Sequence, residues 1–119
     1  MIVKSIKDNV ITWKLQSNNN QNNNIIAEFE FLCEKNKIWF NNCMVVEDYR
    51  GKGIGKFIIA EAIKEFKQIY ISSAQKHEHK FMKIKNDTRY IEDREGECFV
   101  RSLLNNELIH KEWYINPFI

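Results

Sequence analysis

Cysteine is sparse and poorly spaced in this sequence: Cys33, Cys43 and Cys98 form no CxxC pair and leave an odd count. That spacing excludes a secreted disulfide scaffold and a structural zinc site. The three thiols are expected to be reduced and largely buried, with no metal centre. An excess of one charge is also missing. Lys and Arg number 18 against 16 Asp and Glu, a net +2, whereas a dedicated nucleic-acid binder carries a strong basic surplus. No window approaches the roughly 18 consecutive apolar residues of a membrane span. The opening MIVKSIKDN has too short an apolar run for a secretory signal. The expectation is a cytoplasmic protein with neither membrane nor nucleic acid as partner. At 119 residues, the chain is expected to form one domain, 1–119, around one core.

Alternation of apolar and polar residues predicts strands over Val10–Leu15 and Ile25–Cys33, and Met1–Ile6 and Ile38–Val46 also read as strands. Lys7-Asp8-Asn9 turns the first pair, and Glu34–Lys37 turns the last. The run SNNNQNNN at 17–24 is too polar for a core and reads as an exposed connector. Asn41 and Asn42 sit oddly in the middle of a strand, where their amides need partners or an open edge. A helix is expected over Lys56–Gln68, with Ile54, Phe57, Ile58, Ala62, Ile63 and Phe66 facing the core. Ile69–Ser72 follows as a strand, and this strand-helix-strand unit implies a parallel, right-handed crossover. Further on, Ala74–Lys85 reads as a helix. Arg89–Glu92 and Cys98–Leu103 read as strands joined at Asp93–Gly96. The aromatic tail from Asn105 should dock, and it could cover a partner chain in a homodimer as easily as its own core.

Glycine is scarce as well, and three of the four glycines are Gly51, Gly53 and Gly55. Alternating glycines permit unusual dihedrals and let a ligand approach the main chain. Here they join a strand to a helix, so free amides and the positive end of the helix dipole converge on one spot, an anion site. A Walker loop would need GxxxxGK[ST], and Gly51 to Gly55 is one residue short, with Phe57 where the hydroxyl belongs. The spacing also fails the GxGxxG dinucleotide fingerprint. Neither the GXXG nor the aromatic RNP1 pattern of RNA-binding folds is present.

Arg50-Gly51-Lys52-Gly53-Ile54-Gly55 does resemble [QR]-x-x-G-x-[GA], the coenzyme-A motif of the GNAT superfamily of N-acetyltransferases. The likeness extends through the flanks, from Cys43 to Ile59. It implies an α/β fold with a twisted, mixed and mostly antiparallel sheet of six to seven strands and two packed helices. It implies acetyl-CoA as co-substrate and an amine acceptor. The main chain of Met44 and Val45 would pair with pantetheine, and the Val45 amide would hold the oxyanion. The amides from Arg50 through Gly51, Lys52, Gly53, Ile54 and Gly55 to Lys56 would cradle the pyrophosphate, and Arg50, Lys52 and Lys56 would add charge.

Three departures from the family pattern matter. Glu47 stands where the family has proline, so the bend of that strand needs another origin. Met82 falls at the position of the tyrosine that protonates the leaving thiolate, and Tyr90 lies too far along to replace it. The family's two helices between its first strands have no counterpart, because Ile6 and Val10 are nearly adjacent. That leaves the acceptor side open and tilts the expectation toward a protein lysine over a small amine. Glu28 and Glu30 are the candidate bases, against the plainer reading of a solvated strand face. His77-Glu78-His79 lacks HExxH spacing and reads as surface. Cys43 reads as core. The rival function is an inactive module on the same scaffold that binds acyl-CoA or a protein. An RNA-binding patch at Arg50, Lys52 and Lys56 is a third, weaker reading.

Overall fold

The computed structural model describes residues 1–17, 24–73 and 94–115. Four strands form an antiparallel meander in chain order: β1 Ile2–Lys7, β2 Val10–Gln16, β3 Ile25–Glu34 and β4 Lys37–Val45. The turns that set this order are local. Asp8 adopts φ 56° between β1 and β2, and Lys35 and Asn36 adopt φ 50° and 65° between β3 and β4. Positive φ at both central residues is the signature of a type I′ hairpin, whose twist matches that of the flanking strands. Lys7 pairs directly with Val10, so β1 and β2 are a hairpin with nothing inserted. Ser17 N–H donates to the Asn24 carbonyl at 2.9 Å and ties together the ends of the asparagine-rich run, whose residues 18–23 lie outside the described ones.

Period-two alternation puts Trp13, Ala27, Phe29 and Phe31 on one face of the meander, and all four are buried. Helix α1, Ile54–Phe66, covers that face with Ile58, Ile59 and Ala62. Each of the two isoleucines contributes about 1.5–3 kcal/mol when fully buried. Phe57, expected in the core, is instead 51% exposed, because the helix buries the stripe that runs through Ile58 and Ala62, one position round. Lys4 crosses from the edge strand to α1: its ammonium lies 4.4 Å from the Trp13 ring centroid and 3.0 Å from a Glu65 carboxylate oxygen. Both side chains are half exposed, so the ion pair contributes at most about 1 kcal/mol.

The crossover is parallel, as its length implied. Tyr70 N–H donates to the Ile38 carbonyl at 2.8 Å, and Phe40 N–H donates to the Tyr70 carbonyl at 2.8 Å. This is a single bridge, at Trp39 and Tyr70. Beyond it β5, Ile71–Ser72, pairs in parallel with β6, Tyr114–Ile115. The described residues therefore place their strands in a four-stranded and a two-stranded ladder, not in one continuous sheet of six or seven.

The strand expected at Cys98–Leu103 is a correction: these residues lie inside helix α2, Arg94–Asn105. Val100 and Leu103 are buried on it, and Phe99 and Leu104 pack beside them. Glu97 and Arg101, one turn apart, form an ion pair at 2.8 Å. Spacings of three and four, not two, govern this segment. The described part of the tail, to Ile115, docks on its own chain, since Ile109 is buried and Trp113 and Tyr114 pack on the core. The expected helix Ala74–Lys85 and strand Arg89–Glu92 lie outside the described residues. Among the described residues no helix is long and apolar enough to cross a membrane.

Candidate functional site

β4 is bent by an extra residue. Glu30 pairs with Asn42 while the next residue, Phe31, pairs with Phe40, so Asn41 is a bulge. A bulge bends its strand and raises the local twist. The bulge lies six residues before Glu47, the position at which the resembled family carries proline. It also accounts for the pair of asparagines, one of which is outside the ladder register.

Beyond the bridge at Trp39 and Tyr70, no further ladder pairing joins β4 to β5 among the described residues. Val46 N–H donates to the Ile26 carbonyl at 2.9 Å, which fixes which edge faces β3. Main-chain groups alternate along an antiparallel strand, so the N–H and C=O of Val45 point to the opposite edge. The Val45 carbonyl there accepts a 2.9 Å hydrogen bond from Arg50 Nε. This contact was not legible in the motif. It folds the start of the glycine turn back onto the end of β4.

The turn itself begins with a 3-10 segment, Glu47–Tyr49. Gly51 and Gly53 follow at φ 76° and 78°. A Cβ at either would have nothing within 4 Å, so what demands glycine here is the left-handed backbone, not lack of space. Gly53 caps α1 without any side-chain hydrogen bond, and the first turn carries no acidic residue. The first amide satisfied in the helix is that of Phe57, 3.0 Å from the Gly53 carbonyl. Among the described residues, no backbone carbonyl accepts from the amides of Gly51 through Lys56. Arg50, Lys52 and Lys56 are all exposed around this end, and Lys52 Nζ lies 5.4 Å from the Tyr49 ring centroid. Unpaired amides, the helix dipole and three cations favour an anion at one place.

Gly55 serves a different purpose from the other two. A Cβ there would lie 2.7 Å from Phe99 Cε2 and 3.0 Å from Cζ. Its bareness seats α2 against the first turn of α1, and the expected ligand approach is not what requires it.

The two carboxylates are not gathered into this arrangement. Glu28 and Glu30 are half-buried on the face of β3 opposite Ala27, Phe29 and Phe31, hence opposite α1. Glu28 is flanked across the strands by Lys14 and Met44, and Glu30 by Thr12 and Asn42. Met44 is 46% exposed and adjoins Val45, so Glu28 is the nearer of the two to the open edge. Cys43 is half-buried and packs against the core. Met82, Tyr90 and the His77–His79 cluster lie outside the described residues.

If the turn is an anion cradle, Gly53→Val should weaken acetyl-CoA binding by at least about tenfold, or 1.4 kcal/mol. A β-branched residue is a genuine outlier at this φ. Gly53→Asn, which tolerates the left-handed region, should retain most of the affinity. Calorimetric titration of both folded variants checks this, and equal affinities for Val and wild type would count against the site.

Comparison with protein-family models, with curated proteins and with solved structures found no match for this chain.

Proposed function

We propose that this protein is an acetyl-CoA-dependent N-acetyltransferase of the GNAT type, acting on an amine by direct attack in a ternary complex. The observation that carries the reading is the junction at Val45. One hydrogen bond from Arg50 joins an outward-facing strand edge to an uncapped helix N-terminus with unpaired amides. Pyrophosphate fits the amides of Gly51 to Lys56. Pantetheine fits the edge of β4 beyond the last bridge to β5, taking the place of an added strand beside Met44 and Val45.

In this arrangement the Val45 N–H donates to the thioester carbonyl. A neutral amine attacks that carbon, and the new N–C bond forms as the oxygen becomes an oxyanion held by the same amide. Collapse breaks the C–S bond and releases the coenzyme-A thiolate. The amine's surplus proton leaves through water or through Glu28, the nearer carboxylate. The thiolate takes a proton from water, since methionine at position 82 has none to give. Most of the acceleration comes from positioning and oxyanion stabilisation.

The acceptor in this reading is a protein lysine. Small-molecule sites enclose most of their ligand, and the β1–β2 hairpin supplies no helices to build such walls. The test is coenzyme-A release with polyamines, aminoglycosides, free amino acids and a protein lysate, the last also read by acetyl-lysine mass spectrometry. Protein labelling above the chemical background is the expected result. Strong preference for one free small amine would reverse the acceptor assignment.

One observation favours a second reading, a module that binds acyl-CoA without turnover. Both candidate bases sit on the sheet face away from α1. Tight acetyl-CoA binding with no coenzyme-A release across the whole panel would select it.

A further inference from the structure

Phe99 touches the first turn of α1 on one side and β4 on the other. On one side its ring edge abuts Gly55, in the first turn of α1, close enough that even a methyl group there would collide. On the other its ring lies 5.9 Å, centroid to centroid, from Phe40. Phe40 is the residue of β4 whose amide makes the last hydrogen bond to Tyr70, one residue before the bulge at Asn41. Phe40 in turn packs on Phe29 and Phe31, at 5.9 Å and 6.1 Å, and so is anchored in the core of the meander.

The geometry points to Phe99 as a positioning residue that sets the spacing between the anion cradle and the acyl edge. This inference rests on the proposed acetyl-CoA site and adds to it a part of the chain, α2, that contains none of the motif. The amides at Gly51 to Lys56 hold one end of the ligand and the edge of β4 near Val45 holds the other. A ligand that reaches both is bound well only if their separation is right. A misplacement of about 1 Å can cost on the order of a hundredfold in rate. Arg50 ties the two parts along the chain, through the Val45 carbonyl. Phe99 wedges them from beneath, through Gly55 and Phe40. A rigid aromatic ring transmits that spacing where a flexible aliphatic chain would not.

The inference separates two ligands. Adenosine 5′-diphosphate carries a pyrophosphate and needs only the cradle, whereas acetyl-CoA spans cradle and strand edge. Phe99→Leu and Phe99→Ala should each weaken acetyl-CoA binding by about tenfold or more, while adenosine 5′-diphosphate changes by less than about threefold. A ring that served stability alone would move both affinities together or neither. The measurements are calorimetric titrations of the full chain with both ligands, with circular dichroism to confirm folding; Phe99→Leu is the milder variant. Thermal denaturation of Gly55→Ala, Phe99→Leu and the double variant adds a check on the contact: Phe99→Leu should cost less in the Gly55→Ala background, because removing the ring relieves the collision that the added methyl creates. Strictly additive shifts in Tm would overturn the contact. Wild-type protein that binds neither ligand would overturn the site itself, and this inference with it. Wild type that binds both, with Phe99 variants losing both equally or neither, would leave the site standing and overturn the role of Phe99.

Discussion

Val45→Pro is expected to lower the rate of acetyl transfer by about 10²–10³, the usual loss when one oxyanion-hole donor is removed. Proline deletes the N–H and leaves the chain otherwise continuous. At most strand positions it would also remove a ladder hydrogen bond. Here it does not, because the amide that bonds β3 in this stretch belongs to Val46, donating to Ile26. The position is also the last residue of β4. Proline at the border of a strand, with its ring toward an unpaired edge, is a tolerated placement. The fold should therefore survive while the donor is lost. Val45→Ile, which keeps the N–H, is the control and should retain most activity. Single-turnover rates at saturating acetyl-CoA make the comparison. A Val45→Pro enzyme with wild-type turnover would remove this amide from the mechanism.

Leu103→Ala should destabilise the protein by about 2–5 kcal/mol, the range for truncating a fully buried leucine. Leu103 has no exposed surface and shares the core with Val100, Ile69 and Ile71. The value of the experiment lies in its companions. On a strand, Cys98 and Val100 would share one face, and Arg101 and Leu103 the other. On the helix, Val100 and Leu103 face inward while Cys98 is exposed and the Arg101 side chain is 72% exposed. Cys98→Ser and Arg101→Ala should then stay within about 0.5 kcal/mol of wild type. Chemical denaturation gives all three values. A large loss for Cys98→Ser with a small one for Leu103→Ala would restore the strand.

The contrast between α1 and α2 shows what was readable and what was not. α1 announced itself twice, through the glycine cluster that opens it and through a stripe of isoleucines at helical spacing. The meander was equally open to reading, because β2 and β3 alternate and Asp8 and Asn36 accept positive φ at the turns. α2 was hidden by its own composition. Cys98-Phe99-Val100 is a run of residues that favour strands, and over a window of six a run cannot be told from a strand by period. The pairing of Glu97 with Arg101 and of Phe99 with Leu103 carried the correct period, but only across a longer window. The site was legible where it depends on the glycine turn. It was not legible where it depends on tertiary contact. The bulge at Asn41, the Arg50 bond to Val45 and the Phe99 contact with Gly55 each join residues whose proximity only the folded chain creates.

The single bridge between Trp39 and Tyr70 also divides the chain in time. The four strands before it form a meander whose partners are near neighbours along the sequence, and such contacts close early because little loop entropy opposes them. Everything after it depends on β6 returning from near the end of the chain to lie beside β5, the most distant strand pairing among the described residues. The proposed site lies on that seam, one wall belonging to the early half and its floor to the late one. In the proposed reading, a chain whose α2 and β6 have not yet packed would hold a finished meander and a cradle without its wedge at Phe99.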